Sequence, residues 1–241
     1  MYFSVITPEE RLLRQAAHEL VQSAYAEHQW LWKFFPSDKD QPRDFIFRRH
    51  EVEQLPRFYV VSQRPPIAFS EAWQVQSRVY DPLLKEGQLL AFQLRANPVV
   101  SKKNKDGKAQ RHDVVMQAKK QLLAESGLTQ EKKWADWKDE LNKPLLYELV
   151  QKHCSIWLSG VAERNGFEII PSDNIESAQR LQVDSYQQGD AGKRNQKIRF
   201  SSVEFSGELR VTNPDLFRQA LCNGLGHAKA FGCGLLLVRR I

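Results

Sequence analysis

The C-terminal end of the chain restricts the fold more than any other segment. Apolar and polar side chains alternate over residues 203–211, which is the period of a half-buried strand. Residues 213–215 then supply a helix cap, a first-turn proline and an acid, and the apolar stripe that follows ends at Gly224. After a glycine-bearing loop, the apolar run 235–238 predicts another strand. The chain therefore closes with a β-α-β unit, which favours an α+β fold.

The N-terminal part contains the same kinds of element. Thr7, a proline and two acids predict a helix start, and the helical pattern carries on, or restarts, up to about Pro36. The β-prone runs around it are residues 2–6, 44–51, 57–63 and 73–80. The polar, turn-like stretch 81–87 predicts a domain boundary. We therefore expect an N-terminal domain over residues 1–83 and a C-terminal domain over residues 88–241.

The middle of the chain is predicted to be mostly helical. A long strand is expected over residues 89–100, and a helical stretch runs from about 115 to 154. This stretch is interrupted at Gly127 and again at Pro144. Between residues 131 and 143, four lysines balance four acids, which is typical of a solvated helix face.

Charge favours a polyanionic partner without proving one. The chain has 35 Lys and Arg against 29 Asp and Glu, a formal charge of +6 and a pI near 9.2. One basic stretch covers residues 102–111. A second places four positive charges in residues 193–199, after a Gly-Asp-Ala-Gly turn, and predicts a basic hairpin that can lie along phosphates. A solvated loop is the usual alternative for either. The candidate phosphate contacts are Lys102, Lys103, Lys105, Lys108, Arg111, Lys193, Arg194, Lys197 and Arg199.

The glycine-rich loop near the C-terminus fits no nucleotide-binding motif. Its glycines are Gly224, Gly226, Gly232 and Gly234. The loop follows a helix and precedes a strand, the reverse of the dinucleotide fingerprint, and it lacks the GK[ST] of a Walker loop. Its backbone amides and Lys229 could still approach a phosphate closely. A helix cap and tight turn is the simpler interpretation.

Tyr25 and His28 are the candidate acid–base pair. Three residues apart on a helix, the phenol and the imidazole share one face, and together they could move protons and hold a phosphate oxygen. The alternative is that Tyr25 and His28 are only a pair at the end of a helix, packed beside Trp32. The spacing taken alone favours this alternative. The six histidines form no HExxH motif and no zinc spacing with cysteine, so we expect neither a metal site nor a cofactor.

Hydropathy and cysteine usage predict a cytoplasmic protein. Mean hydropathy is −0.54, and no stretch approaches the roughly 18 apolar residues of a membrane span. The N-terminus has no visible signal peptide. Three cysteines form no disulfide framework and no CxxC pair, which fits a reducing compartment.

Several segments carry a joint signal, although each alone has low specificity. They are residues 1–4, 25–36, 43–48, 92–98, 166–167, 205–209 and 224–236. Taken in order over nearly the whole length, they resemble the CasE family, the hairpin-processing endoribonuclease subunit of the CRISPR surveillance complex Cascade.

The resemblance implies two tandem ferredoxin-like (RRM-like) domains and metal-independent cleavage of CRISPR precursor RNA at the base of a repeat stem-loop. It also implies continued grip on the product, with the repeat RNA and other Cascade subunits as partners. His28 matches the catalytic histidine and Tyr25 its partner. The hairpin 193–199 would enter the major-groove edge, and residues 102–111 would hold the backbone.

Two points stay open from the sequence. The helical stretch at about 116–153 is longer than the family leads us to expect, and we interpret it as an insertion: a surface helix or a contact to a neighbouring subunit. His28 would either protonate the leaving oxygen or deprotonate the 2′-OH. The alternatives to an enzyme are a structural subunit that holds an RNA hairpin without cutting, and an inactive assembly protein.

Overall fold

The computed structural model describes eight segments of the chain. They are residues 1–20, 24–36, 41–103, 106–128, 133–138, 141–170, 181–193 and 196–241. At residues 24, 25, 190–193 and 196–198 the backbone alone is described.

The N-terminal half forms one antiparallel sheet with two helices. Its elements are β1 (Tyr2–Pro8), α1 (Leu13–Glu19), α2 (Ala24–Trp32), β2 (Phe45–Val52), β3 (Leu55–Ser62) and β4 (Trp73–Val79). The sheet order is β2-β3-β1-β4, and all neighbours are antiparallel. This is a ferredoxin-like arrangement in which residues 63–72, between β3 and β4, form no helix.

The C-terminal half repeats the arrangement with additions. Its elements are β5 (Leu89–Ala96), β6 (Val99–Lys103), β7 (Ala109–Asp113), α3 (Val114–Glu125), α4 (Leu146–Arg164), β8 (Phe167–Ile169), β9 (Gln182–Lys193), β10 (Gln196–Val211), α5 (Pro214–Asn223) and β11 (Leu236–Arg240). The sheet order is β11-β5-β10-β8, with β9 paired to β10. Taken as β5-α4-β8-β10-α5-β11, the elements follow the β-α-β-β-α-β order. The predicted α+β fold with two tandem ferredoxin-like domains is confirmed.

The helical stretch predicted at 116–153 is an insertion only in part, and both of its main helices pack on the C-terminal sheet. α3 buries Val115, and α4 buries Leu149 and Leu158, in the core of the C-terminal sheet. α4 is the first helix of the ferredoxin-like order, and because its apolar stripe continues, it runs on past the predicted end at Cys154. The described elements that are additional to that order are β6, β7, α3 and β9. None of the described helices combines the length and hydropathy needed to cross a membrane.

The helix start predicted at Thr7 is wrong. Thr7 and Pro8 are the last residues of β1 and pair with β4, Pro8 opposite Trp73. A 3₁₀ turn, Glu10–Leu12, then leads into α1. Pairing along the whole of β4 therefore outweighs the local capping signal.

The single strand predicted over residues 89–100 is two strands. β5 ends before Asn97, and β6 starts after Pro98. The Asn97 side chain donates a hydrogen bond to the Ser201 carbonyl at 2.6 Å, and Pro98 has no N–H to offer a strand ladder. The other predicted strands of the N-terminal half, the last helix and the last strand agree with the structure to within two residues at each end.

β9 and β10 form a two-stranded extension, which we call the arm: residues 187–193 and 196–202. Here β10 pairs with β9 alone, whereas from Val203 onward it also pairs with β5. A bulge between Ser202 and Glu204 separates the two parts. The predicted hairpin is confirmed, and its register places Lys193 opposite Gln196.

The turn predicted at residues 189–192 is wrong. These residues lie within β9, which pairs with β10 as far as Lys193 opposite Gln196. Gly189 pairs with Phe200, where a Cβ would lie 3.4 Å from the phenylalanine ring. The glycine therefore makes room for a side chain within the ladder rather than for a turn.

β2 and the glycine-rich loop (residues 224–234) join the two halves. Ile46 and Val61 of the first sheet share a buried cluster with Leu235, next to the loop. Arg48 Nη2 also lies 2.8 Å from Glu204 Oε2 across the boundary. These contacts bring α2 beside the 3₁₀ turn Lys229–Phe231 of the loop.

Candidate functional site

α2 is held firmly on the first sheet. Trp30, almost fully buried, packs with ring centroids 4.5 Å from Trp73 and 4.9 Å from Phe58. One turn earlier on the same helix, Glu27 accepts a hydrogen bond from Arg49 Nη1 of β2 at 3.0 Å. The helix is therefore fixed both by packing and by a half-buried ion pair.

His28 lies on this helix, half-buried among aromatic rings. Its ring centroid is 6.3 Å from that of Trp32 and 6.1 Å from that of Phe45. Its Nε2 is buried and has no hydrogen-bond partner among the described residues. A buried polar atom without a partner costs stability, and this nitrogen is left able to form a hydrogen bond with a bound molecule. Tyr25 lies one turn earlier on α2, and its side chain is outside the described part of the chain.

Burial, and then the charge of Arg43, lower the pKa of His28 to about 4. The imidazole is therefore neutral at pH 7 and can accept a proton. Arg43 stands just before β2 and is itself half-buried, which lowers its own pKa.

Lys229 adds a second cation to this site from the other domain. It begins the 3₁₀ turn that contacts α2, and its pKa is lowered by burial and then by the charge of Arg43. Arg43 is thus close enough to act electrostatically on both His28 and Lys229. Within the described segments, neither cation forms an ion pair with a carboxylate. We call His28, Arg43 and Lys229 the cationic cluster. Its unneutralised charge attracts an anion.

The glycine-rich loop positions Lys229 by packing tightly. Leu225 N–H donates to the Gly234 carbonyl at 2.8 Å, and Gly234 N–H donates to the Arg95 carbonyl at 2.7 Å. A Cβ on Gly234, whose φ is +91°, would lie 2.5 Å from the Leu225 oxygen. At Gly232 it would lie 3.3 Å from the ring of Phe47. These two amides therefore bond to carbonyls of the protein and are not available to a phosphate. The glycines instead allow the loop to pack closely between the domains.

The glycines at the other two positions differ in how tightly they are enclosed. A Cβ on Gly224 would lie 2.9 Å from Ile46 Cδ1, whereas a Cβ on Gly226 would come no closer than 3.5 Å to Trp157. Gly224 therefore takes part in the contact between the domains. At position 226, glycine is favoured by the positive φ of +69° rather than by lack of space.

Arg111 of β7 and Arg199 of β10 come together at a cleft of about 700 Å³. The cleft is also lined by His227 and Phe231 of the glycine-rich loop, so it adjoins the cationic cluster. Two basic stretches that are far apart in the sequence thus meet beside Lys229.

The remaining predicted phosphate contacts are spread around this region. Lys102 and Lys103 are exposed on β6, and Lys108 is exposed just before β7. For Lys193 and Lys197 the backbone lies in the arm. Lys105 and Arg194 lie outside the described residues.

Sequence reasoning missed Arg43 and His227. Arg43 falls within a segment used for the family resemblance, but no local pattern marks it as part of a site. The pKa of His227 is lowered by burial, then by Arg111 and Lys229, which places it between the cleft and the cationic cluster. Both roles depend on how the two domains meet. Among the described residues, no group of three or more His, Cys, Asp or Glu side chains is arranged to hold a metal ion.

Comparison with known proteins identifies relatives over nearly the whole chain. Residues 1–240 match a family model described as CRISPR associated protein. The CRISPR system Cascade subunit CasE of Escherichia coli K12 is 26% identical over 214 residues, which cover 88% of this chain and 89% of that protein.

Solved structures share the fold. Thermus thermophilus Cse3, in a structure with an RNA representing a pre-cleavage complex, matches with a TM-score of 0.63 and 22% identity, over 99% of this chain and 98% of that one. Cas6e of E. coli K-12 matches with a TM-score of 0.58 and 20% identity over the full length of both chains. The predicted resemblance to CasE is confirmed, and the chain belongs to the family of CRISPR-associated proteins.

Proposed function

We propose that this chain is a Cascade subunit that binds the stem-loop of a CRISPR repeat and cleaves the precursor RNA at its base. The observation that supports this most directly is the cationic cluster: a neutral histidine and two cations, for which the described residues provide neither a partner to the buried nitrogen nor a carboxylate. The names of its relatives agree, since one is a Cascade subunit and another was solved with a pre-cleavage RNA.

The reaction is a transesterification that uses the RNA's own nucleophile. The ribose 2′-oxygen forms a bond to phosphorus, the bond from phosphorus to the 5′-oxygen breaks, and the products carry a 2′,3′-cyclic phosphate and a 5′-hydroxyl. The protein has to align the three atoms and handle two protons.

His28 accepts the proton of the 2′-OH, because it is neutral at pH 7. Lys229, which releases a proton more readily than an ordinary lysine, donates a proton to the leaving 5′-oxygen of the RNA. Arg43 and the Lys229 ammonium stabilise the charge that develops on the phosphoryl oxygens. Tyr25, one turn before His28, orients one of the reacting groups. Catalytic contacts of this kind commonly tighten only in the substrate complex.

The RNA stem lies along the arm and the β6-β7 hairpin. Both contain lysines and arginines in their sequences, and Arg111 of the hairpin and Arg199 of the arm line the cleft beside the cationic cluster. The product stays bound because these phosphate contacts do not change when one bond at the base of the stem is broken. The chain then remains with the guide RNA in the surveillance complex.

A cleavage gel with precursor repeat RNA tests the proposal. Two shorter fragments cut at the base of the stem are the expected result. A shifted but intact RNA would identify a structural hairpin-binding subunit, and an unbound RNA would identify an assembly protein.

We expect cleavage to persist in excess EDTA. The nucleophile is a ribose hydroxyl, so no metal-bound hydroxide is required, and Arg43 and Lys229 supply the positive charge that a metal would otherwise bring. The assay is run in monovalent salt that keeps the RNA stem folded, with a stem-melting control. Loss of cleavage in EDTA and recovery on adding Mg²⁺ would refute this prediction.

We also expect binding to depend steeply on salt, with each phosphate contact adding roughly 0.7–0.9 to the slope of log affinity against log salt. Replacing Lys193, Arg194 and Lys197 together by alanine should flatten the slope and weaken binding. Dissociation constants at four or five salt concentrations measure both.

The matched control removes the same amount of charge elsewhere. Alanine replaces Lys85, exposed in the stretch 81–87, together with Lys152 and Arg164, exposed on α4. This control should change the slope much less. Equal slopes for the two variants would mean that the arm does not contact the RNA backbone.

A further inference from the structure

The cleft between the arm, β7 and the glycine-rich loop has the properties of a ligand site. Its volume of about 700 Å³ lies in the range of pockets for small molecules. It adjoins the cationic cluster, because His227 lines it and Lys229 follows two residues later. Whatever occupies the cleft is therefore next to the group that undergoes reaction.

One wall of the cleft is aromatic. Phe200 of β10 and Phe231 of the glycine-rich loop stack with ring centroids 4.8 Å apart and an angle of 18° between the planes. Both rings are half-buried and both line the cleft. The ring pair comes from two different elements and presents a face on which another flat ring can stack.

The polar groups beside the rings are already ordered. Asp113 accepts hydrogen bonds from the Met116 N–H at 2.8 Å and from the Tyr186 hydroxyl at 3.2 Å, and also from the Ser201 hydroxyl. Asn97 is buried and also bonds to Ser201. A carboxylate and an amide fixed in this way can recognise the hydrogen-bonding edge of a nucleobase.

The charged groups at the cleft are cationic on the side that faces the loop. Arg111, Arg199 and His227 line it. Burial, Arg111 and Lys229 together lower the pKa of His227, which indicates that positive potential accumulates here. The cleft therefore offers an aromatic face for a base to stack on, polar groups for the hydrogen-bonding edge of that base, and cations for the phosphate of the same nucleotide.

We propose that this cleft takes one unpaired nucleotide of the repeat RNA, next to the scissile phosphate, with its base stacked on Phe231 and its phosphate held by Arg111 and Arg199. The proposal rests on the proposed function, since it names a subsite for the same RNA. A paired base within the stem offers no free face for such stacking, so the subsite recognises the single strand that flanks the stem.

The test uses RNA hairpins that carry 2-aminopurine, whose fluorescence falls on stacking, at each unpaired position flanking the cleavage site in turn. Cleavage is blocked with a 2′-deoxy nucleotide. We expect quenching at one position when the protein binds. Replacing Phe231 by leucine should abolish that quenching and weaken binding about fivefold, at the lower end of the 5- to 150-fold range for losing one base stack. Phe3→Leu, at a half-buried ring between the two sheets, is the control and should change neither.

An abasic nucleotide at the quenched position separates stacking from general damage. Phe231→Leu should have no further effect on binding or cleavage of the abasic RNA. An equal loss with both RNAs, or no quenching at any position although the hairpin is bound and cut, would overturn the subsite and leave the proposed function standing. A protein that does not bind the hairpin would overturn both.

Discussion

Replacing His28 by alanine should lower the cleavage rate of the repeat hairpin by about 10²- to 10⁴-fold and change its dissociation constant by only a few-fold. In the proposed mechanism the rate falls because one side chain accepts the proton of the 2′-OH. Affinity is retained because phosphate contacts are spread over many cations. Single-turnover rates and binding curves of the same preparation give the two quantities. His50→Ala, at an exposed position on β2, is the matched control and should keep the parental rate.

A substrate with sulfur in place of the bridging 5′-oxygen distinguishes the two proton transfers. Sulfur leaves readily without a proton, so this substrate should restore much of the rate of Lys229→Met and little of the rate of His28→Ala. The reverse pattern would make His28 the acid and contradict the assignment given above. A parental rate for His28→Ala on the ordinary substrate would remove this residue from the site altogether.

RNA with a 2′-deoxy nucleotide just before the scissile phosphate should not be cut at all. The substitution removes the attacking group itself, whereas binding loses one hydroxyl contact, on the order of 1 kcal/mol, and keeps its phosphate contacts. The unmodified hairpin should give a 5′-hydroxyl fragment and a 2′,3′-cyclic phosphate, which mass spectrometry of both fragments identifies. Cutting of the deoxy RNA, or a 5′-phosphate on the product, would show that water is the nucleophile.

The elements that could be predicted from the sequence are those with local causes. Asn213 caps α5 by accepting hydrogen bonds from the N–H groups of Asp215 at 3.1 Å and Leu216 at 3.0 Å, as its position before a proline and an acid predicts. Gly127 ends α3 with a positive φ of +69°. In both places a few neighbouring residues decide the conformation.

Errors arose where distant pairing decides the structure. Thr7 has every local feature of a helix cap, but β4 extends β1 through it. Gly189 belongs to a turn-like sequence, but the opposite strand places Phe200 against it. The residues next to Thr7 and Gly189 in the sequence carry no information about which distant strand will pair with them.

The same distinction applies to the site. The helix that carries His28 was predicted from periodicity and the histidine from its residue type and the resemblance. The low pKa of its ring was not predictable, because it depends on burial and on Arg43. The approach of Lys229 requires both domains and the close contact of Gly232 with Phe47. The place of Lys229 in the cationic cluster is thus a property of the domain arrangement.

The bulge at Ser202 and Glu204 has a consequence for how a protein of this kind could change the RNA hairpin that it binds. It marks where β10 stops pairing with the core strand β5 and continues as the arm. Bulges bend a strand and increase its twist, so this position sets the direction of the arm. Side chains alternate between faces along a strand, so inserting or deleting one residue here would change the face on which the β10 side chains of the arm lie, without touching the core register. If the arm binds the RNA as proposed, a lineage could therefore adapt to a new repeat hairpin by a single-residue length change at this joint, while the cationic cluster stays in place.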